Sequence, residues 1–244
     1  MNNLTMYVVT HKNVEYIPKG RKIIFVGNGD NSKNYLADNT GENISNKNAN
    51  YCELTAFYWI WKNDKNSKYI SIEHYRRFFM GRGITPMSKR KIEKNLEKYD
   101  VIESKNYYFL PSIKEYYSQH HIKSDLEVVE DAIEKLYPEY KTSYEKVING
   151  DECSMCNMIV LSKENFDKYC EWLFNILNYV ESNVNLNNRD SYQRRVYGFL
   201  AERLQNVWIN HNNLKIKRIP IYFVEKNVFI SKLKSLRDFV LMRR

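Results

Sequence analysis

Short apolar runs alternate with longer amphipathic segments along most of the chain. Each short run is rich in β-branched, aromatic and leucine side chains and ends in polar residues, which is the pattern of a strand buried in a parallel sheet. A later run, 215–224, is interrupted by Pro220 and is typical of an edge strand. The buried strands are predicted at residues 4–10, 23–26, 68–72, 100–102 and 158–161.

Helices are predicted where apolar side chains recur at helical spacing. In the segment 163–181, for example, Phe166, Cys170, Leu173 and Leu177 share one stripe. Strands that alternate with helices indicate an α/β fold with a mainly parallel central sheet flanked by helices. The predicted helices are residues 48–63, 89–99, 125–136, 140–149, 163–181 and 192–208.

Polar clusters follow three of the predicted strands. His11 and Lys12 follow the first strand, residues 27–30 follow the second, and residues 73–77, Glu-His-Tyr-Arg-Arg, follow the third. Because ligands in such sheets bind outside the carboxyl ends of the strands, these clusters are expected to line one cleft.

The arginines of the third cluster suit a diphosphate. A guanidinium binds phosphate oxygens in pairs and stays charged at any working pH. The alternative is that Arg76 and Arg77 form internal pairs with acids such as Glu53 or Glu73. If the strand continued through the cluster, the two arginines would face opposite sides, and one of them would brace the site instead of touching the ligand.

Composition narrows the choice of partner without deciding it. The formal net charge of +9 fits a polyanion, which could be a nucleic acid, a nucleotide diphosphate or an anionic membrane surface. The 20 tyrosines suit a cleft that binds a sugar or a nucleotide, although codon bias in an AT-rich genome explains them equally well. There is no run of about 18 apolar residues and no recognisable signal peptide, and the cysteines are expected to be reduced, so the chain is predicted to be cytoplasmic.

Several common site motifs are missing from the sequence. It contains no GxxxxGK[ST], GxGxxG or GxSxG. Cys153 and Cys156 form a single CxxC, which is a weak signal for zinc. His120 and His121 would complete a zinc site only if the fold brought them close to these cysteines.

Seven stretches of the chain resemble a known family. They are VVTHK (8–12), DNTGENIS (38–45), NKNANYCELTAFYWIWKN (46–63), IEHYRRFF (72–79), CNMIVL (156–161), YCEWLF (169–174) and RRVYGFLAERL (194–204). In this order they are similar to the DUF4422 family of bacterial capsular and exopolysaccharide glycosyltransferases. The resemblance spans roughly residues 5–224 and implies a single GT-A-like domain over 1–224, with a nucleotide-sugar half at about 1–110 and an acceptor half at 111–224.

The resemblance also implies an activity and raises the question of a metal. The implied reaction moves a hexose, a galactose form with a pyranose or furanose ring, from a UDP-sugar to a lipid-linked oligosaccharide. GT-A enzymes commonly hold Mn²⁺ or Mg²⁺ with a DxD pair of carboxylates, and this chain has no DxD. Either the arginines and histidine of the 73–77 cluster replace the metal, or Glu73 and His74 are unusual metal ligands. The first interpretation is preferred because guanidinium groups would compete with a cation.

Residue assignments follow from the resemblance. The residues after the first strand would contact the nucleoside, the long polar loop 31–50 would bind ribose or uracil, and its Lys47 would reach the diphosphate. Glu53 is expected to hold an arginine in place. The predicted donor-binding residues are Thr10, His11, Lys12, Asp38, Asn43, Ser45, Lys47, Glu73, Arg76 and Arg77, and the predicted acceptor-binding residues are Asn157, Met158, Arg189 and Arg195.

Transfer with inversion needs a base that takes the proton of the acceptor hydroxyl. Asp190 also suits a helix N-cap, and Glu202 also suits an ion pair with Arg203 or Arg195, so both keep a structural alternative. A retaining reaction would need no such base. The catalytic candidates are Asp190, Glu202 and His74, with Asp151 and Glu152 as a further option for the base.

The tail, 225–244, contains a basic amphipathic stretch, 231–244, in which Leu233, Leu236 and Val240 share a face with Phe239. An anionic inner leaflet would attract such a helix and would also hold a lipid-linked acceptor. The alternatives are a helix folded back on the domain and an oligomer contact. Because of the attraction to the anionic leaflet, peripheral association with the inner face of the plasma membrane is expected.

Two other functions compete with sugar transfer. A nucleic-acid-binding module is allowed by the charge and the aromatic content. The cations are dispersed, however, and no known binding motif is present, so no nucleic-acid partner is expected. A phosphohydrolase would use His74 or His11.

Overall fold

A computed structural model describes residues 3–225 and 227–241 of the chain. Strands and helices alternate in it, and the predicted α/β class is confirmed. The strands are β1 (Leu4–Thr10), β2 (Arg21–Phe25), β3 (Leu36–Ala37), β4 (Tyr69–His74), β5 (Arg77–Phe79), β6 (Val101–Ser104), β7 (Asn106–Tyr108), β8 (Glu152–Ser154), β9 (Ile159–Ser162), β10 (Ile216–Ile219) and β11 (Ile221–Phe223). The helices are α1 (Asn48–Tyr51), α2 (Leu54–Asn63), α3 (Lys89–Leu96), α4 (Ile113–His120), α5 (Ser124–Leu136), α6 (Lys141–Ile148), α7 (Lys163–Asn183), α8 (Val196–His211) and α9 (Val228–Leu241).

The central sheet is mainly parallel, as expected. Its strand order is β10-β6-β9-β4-β1-β2-β3, and β9 runs against both of its neighbours. The short strands β5 and β11 extend the sheet beside β4, and β7 pairs with β8 in a separate ribbon. Because β9 is reversed, its amino end lies at the same edge of the sheet as the carboxyl ends of β1 and β4.

Alternating side chains fill two layers, one on each face of the sheet. Tyr7 and Val9 of β1 pack into the larger core together with α2, α7 and α8. Leu4 and Met6 point the other way and pack with Ile92 of α3. The site at the edge of the sheet is therefore framed by two buried apolar layers.

The helix predicted at 48–63 is interrupted. Cys52 has φ of 52° and ψ of −129°, and this conformation, which is rare for a residue with a side chain, ends α1 before α2 begins. The break places Cys52 and Glu53 at the carboxyl edge of the sheet instead of inside a continuous helix.

The C-terminal segments close one side of the domain. Pro220 separates β10, which lies parallel to β6 at the sheet edge, from β11, which pairs with β5. Helix α9 packs on β11, so the described part of the tail is folded back on the domain. Residues 242–244 of the predicted tail lie outside the described residues. The division into a nucleotide-sugar half and an acceptor half stays a prediction.

Within the described residues, the helices are too short or too polar to cross a lipid bilayer.

Candidate functional site

A cavity of about 610 Å³ lies at the carboxyl ends of β1, β2 and β4. Its volume is in the range of small-molecule binding sites. The first and third polar clusters contribute to it, whereas the second contributes its preceding residue, Val26. The lining residues are Val9, Thr10, His11, Val26, Asn48, Ala49, Cys52, Glu53, His74, Tyr75, Arg76, Arg77, Arg195, Phe223, Glu225 and Lys234.

The β4–β5 hairpin forms one wall of the cavity. His74 ends β4, Tyr75 and Arg76 form the turn, and Arg77 begins β5 opposite His74. Because the chain turns here instead of continuing as a strand, both arginines line the cavity. The Arg77 guanidinium has no hydrogen-bonded or ion-paired partner within the described residues. Arg76 has a partner, Glu225, at 3.4 Å, and its side chain remains 52% exposed.

The opposite wall comes from the segment before α8 and from the α1–α2 break. Arg195 donates from Nε to Cys52 Sγ at 3.2 Å and lies over the ring of Phe199. The C-terminal segment adds Lys234, which pairs with Glu225 at 2.6 Å. Four permanent cations thus face two carboxylates around this space, and the cavity carries net positive charge.

The two histidines of the cavity are held in the neutral form. Burial lowers the pKa of His11, and the positive charges of Lys12, Arg195 and Arg76 lower it further. Burial also lowers the pKa of His74, although the nearby Glu53 carboxylate opposes this shift. His74 Nε2 donates to the Cys156 carbonyl at 2.5 Å, so Nε2 is the ring nitrogen that carries the hydrogen.

Glu53 lines the cavity, although the sequence predicted only a supporting role for it. It was expected to hold an arginine, but Oε1 instead accepts a hydrogen bond from Asn157 Nδ2 at 2.7 Å. Within the described residues it takes part in no ion pair, in contrast to Glu225. The break at Cys52 brings it to the cavity, and a uniform helical pattern at 48–63 gave no sign of that break.

Of the three donor-site candidates at the end of β1, two line the cavity. Thr10 and His11 line it, and the Thr10 hydroxyl donates to the Lys12 carbonyl at 2.7 Å. The Lys12 ammonium is turned toward the ring of Tyr75, 5.2 Å from its centroid, and Lys12 is not among the lining residues.

Asp38 lies behind the lining. It is 2% exposed, and burial raises its pKa to about 6 because the neighbouring Thr55 hydroxyl offsets only part of the cost of burying the charge. Its Oδ2 has no partner within the described residues. Thr55 also accepts from Asn48 Nδ2 at 3.1 Å, and Asn48 lines the cavity, so Asp38 supports the wall from behind.

The other predicted donor residues of the long loop bond to other protein side chains. Asn43 Oδ1 accepts from the Ser45 hydroxyl at 2.9 Å and shapes the turn before α1. Lys47 pairs with Glu181 at 2.6 Å on α7, so its ammonium is not directed at a diphosphate. The assignment of Lys47 to the donor site is therefore corrected, whereas Asn43 and Ser45 lie outside the cavity lining and their assignment stays a prediction.

The assignment of Glu73 is also corrected. Side chains alternate along β4, so Glu73 points away from the cavity when His74 points into it. Glu73 is fully buried, and Oε2 accepts from Arg21 Nε at 2.9 Å while Oε1 accepts from the Phe79 amide at 2.9 Å. Its ion pair with Arg21 braces the hairpin that carries Arg76 and Arg77.

The residues proposed to hold a metal do not fit one. Glu73 and His74 lie on opposite faces of β4, and both carboxylate oxygens of Glu73 have protein partners. Among the described residues, no group of three or more His, Cys, Asp or Glu side chains is arranged to hold a metal ion. The pair Cys153 and Cys156 is not joined by the two histidines, since His120 stacks on Tyr116.

The proposed bases lie outside the cavity lining. Asp190 is exposed, and its Oδ1 accepts from the Gln193 amide at 2.7 Å, so it has the capping role that was the alternative to catalysis. Glu202 pairs with Arg203 at 2.9 Å and accepts from the Cys156 amide at 2.8 Å, which is the structural alternative. Asp151 and Glu152 are exposed at the start of β8. These assignments are corrected, and His74 is the catalytic candidate that does line the cavity.

Of the predicted acceptor residues, Arg195 lines the cavity. Asn157 is buried just behind it, where it holds Glu53 and donates to the Gly198 carbonyl. Met158 is fully buried in the smaller core, and Arg189 forms a buried two-point ion pair with Asp125. The assignments of Met158 and Arg189 are corrected because neither side chain can reach a ligand.

The chain is similar to a solved glycosyltransferase. The structure of the WbbM bifunctional glycosyltransferase in its apo form shares 29% sequence identity with it at a TM-score of 0.81. The match covers 92% of this chain and 46% of that chain, so this chain spans about half the length of the solved structure. This similarity is in line with the GT-A-like form of the α/β fold expected from the sequence.

One of two further comparisons identifies the family of the chain. A comparison with curated proteins gives no match. The profile of the family described as a domain of unknown function, DUF4422, matches residues 5–213, which is most of the chain. The expected family is thereby confirmed, and the chain belongs to the DUF4422 family.

Proposed function

We propose that the chain is a glycosyltransferase that binds a nucleoside-diphosphate sugar in the cavity at the carboxyl ends of β1, β2 and β4. The observation that carries the proposal is the unpaired Arg77 guanidinium in a cavity with net positive charge. An unpaired cation in a cavity of net positive charge favours an anionic ligand, and a diphosphate is an anion that two guanidinium groups can bind through paired hydrogen bonds. The similarity to a bifunctional glycosyltransferase supports sugar transfer as the reaction.

The cations would act on the leaving group. When the bond between the sugar and the diphosphate breaks, the released nucleoside diphosphate gains negative charge. Arg76 and Arg77 on the hairpin, facing Arg195 on the opposite wall, provide fixed positive charge for it. The buried pair of Arg21 and Glu73 holds the hairpin in place before the ligand arrives.

Glu53 is the residue we assign as base. It is the cavity carboxylate free of an ion pair in the described chain, and Asn157 fixes its orientation through a 2.7 Å hydrogen bond. As a carboxylate without an ion-paired partner among the described residues, it can accept the proton of an acceptor hydroxyl in an inverting transfer. His74 lines the same cavity, interacts electrostatically with Glu53, and has its ring held by the Cys156 carbonyl.

Two substrates, a sugar donor and a sugar acceptor, would meet in the cavity. The donor is a UDP-hexose, a galactose form with a pyranose or furanose ring, whose nucleoside lies against Thr10 and His11. The acceptor is a lipid-linked oligosaccharide of a capsular or exopolysaccharide. No step is assigned to Mn²⁺ or Mg²⁺, because the residues first considered as ligands are already used by the fold.

Nucleotide binding provides the test. UDP at a concentration of about 100 times its dissociation constant stabilises a protein by about 2.7 kcal/mol. For a chain of 244 residues this is a rise in melting temperature of roughly 5 °C. Arg77→Ala removes charge-assisted hydrogen bonds worth about 1.5–3 kcal/mol, so UDP binding weakens about 10- to 100-fold.

The matched control is Arg90→Ala, which removes an exposed arginine from α3 outside the cavity and should leave the UDP shift unchanged. UDP-, GDP- and dTDP-hexoses are compared in the same assay, each with and without Mn²⁺ followed by chelator. If no nucleotide or nucleotide-sugar raises the melting temperature, or if Arg77→Ala and Arg90→Ala respond alike, the donor site is wrongly placed. Release of free phosphate faster than any sugar transfer would indicate a phosphohydrolase instead.

A further inference from the structure

Helix α9 faces the protein with its polar side. Ser231, Ser235 and Asp238 are 3%, 0% and 5% exposed. The Ser235 hydroxyl accepts from the Phe223 amide at 2.9 Å, and Asp238 Oδ2 accepts from the Ile221 amide at 2.7 Å. These side chains satisfy main-chain donors of β11, so the rotation of the helix about its own axis is fixed by specific hydrogen bonds.

The opposite side of α9 is apolar and exposed to solvent. Phe229, Leu233, Leu236 and Val240 are 73%, 56%, 42% and 49% exposed, and their spacing of four, three and four places them on a single stripe. Ile230, beside the stripe, is 44% exposed. A surface helix ordinarily buries its apolar stripe against the core, and this helix does the reverse.

Positive charge flanks the apolar stripe. At about 100° per residue, Lys232 lies on one side of the stripe and Arg237 on the other. Both are exposed, whereas the acid of the helix, Asp238, is buried on the opposite face against Lys105. An apolar strip with cationic margins matches the interfacial region of a bilayer that contains anionic lipids.

We propose that the stripe of α9 is a docking surface for an anionic lipid bilayer, with the helix lying in the plane of the headgroups. A second copy of the chain fits this face less well, because pairing two stripes would bring Lys232 and Arg237 of both copies together. The surface is argued from α9 alone and does not depend on the proposed sugar transfer. It would nevertheless serve that reaction, since Lys234 of the same helix lines the cavity and docking would place the cavity at the bilayer surface.

The experiment measures co-sedimentation of the whole chain with lipid vesicles. Vesicles of phosphatidylcholine alone are compared with vesicles that also contain phosphatidylglycerol. The apolar stripe is tested with Leu233→Asn/Leu236→Asn, and its control is Leu136→Asn, a leucine on α5 that is 43% exposed. The charges are tested with Lys232→Gln/Arg237→Gln, and the control is Arg90→Gln/Lys94→Gln on α3.

The wild-type chain is expected to bind the anionic vesicles more tightly than the neutral ones. Removing two cations should weaken binding to the anionic vesicles about 30-fold, at about 1 kcal/mol per cation near the surface. The leucine variant should lose binding to both kinds of vesicle by at least about tenfold, since it removes buried apolar area from the contact. Both controls should bind as the wild type does.

Two results would overturn the proposal. One is that the wild-type chain does not bind anionic vesicles, or that the α9 variants bind as their controls do. The other is a concentration-dependent dimer in light scattering that Leu233→Asn/Leu236→Asn abolishes while vesicles remain unbound, which would make the stripe an interface between copies. The UDP melting shift of every variant is recorded in parallel, so a failure of lipid docking is distinguished from a failure of the donor site.

Discussion

Glu73 and Arg21 form a buried ion pair beneath the β4–β5 hairpin, and removing one partner is a sharp test of its role. The Arg21 and Glu73 side chains are 2% and 0% exposed. In Arg21→Met the Glu73 carboxylate keeps the Phe79 amide as a partner but loses its counter-charge. Breaking a buried pair in this way costs about 3–5 kcal/mol of unfolding free energy.

The size of the effect can be expressed as a melting temperature. A chain of 244 residues has an unfolding entropy of about 0.5 kcal/mol per kelvin, so the loss is roughly 6–10 °C. The double variant Arg21→Met/Glu73→Gln removes both charges and keeps an acceptor for Phe79, so it should recover much of this loss. Lys168→Met breaks an exposed pair with Glu164 and should cost less than about 1 kcal/mol.

The deficit of Arg21→Met should also depend on pH. Burial raises the pKa of Glu73, and without Arg21 nothing of opposite charge counters that rise. A carboxyl whose folded pKa lies above its unfolded value is a penalty at high pH, so the deficit should shrink as the pH falls from 8 to 5. Urea unfolding across this range, with and without UDP, provides the measurement. A loss below about 1 kcal/mol for Arg21→Met would refute the structural role of the pair.

Three further outcomes are expected. Asp38→Asn should stabilise the nucleotide-free chain by roughly 2–3 kcal/mol at pH 8 and by progressively less toward pH 4, because the buried carboxyl with a pKa of about 6 is charged only at the higher pH; urea unfolding at each pH checks this. Glu53→Gln should lower the rate of sugar transfer by about 10²- to 10⁴-fold and keep the UDP melting shift, as measured by product formation and thermal unfolding; a normal rate would exclude Glu53 as the base. Asp238→Ala should leave the buried Lys105 ammonium and the Ile221 amide without their carboxylate and loosen α9, and amide hydrogen exchange should then rise in residues 228–241 and stay unchanged in α7.

Strong local patterns predicted much of the fold. The runs at 4–10 and 158–161 form strands, and Pro220 marks the boundary between β10 and β11, because proline cannot donate to a sheet ladder. The pattern missed α4, which is short and mostly polar, and the two-residue strand β3. Such elements are stabilised by tertiary packing, and a single sequence carries little signal for them.

The site was predictable only in part, for reasons of geometry. His11, His74, Arg76 and Arg77 were found because they follow buried strands whose carboxyl ends share an edge. Glu53 was underestimated because the left-handed conformation of Cys52 leaves no signature in the pattern. Lys47, Arg189 and Glu202 were misassigned because each pairs with a residue that the sequence alone does not place next to it or orient toward it.

The reversed direction of β9 determines which substitutions are tolerated next to His74. Because the strand enters the sheet at the cavity edge, the group that fixes the imidazole is the main-chain carbonyl of Cys156. Every amino acid carries that carbonyl, so the hydrogen bond to the ring does not depend on the side chain at 156, although the φ of 82° there favours glycine over larger replacements. The next position has no such freedom, since Asn157 acts on Glu53 through its side-chain amide.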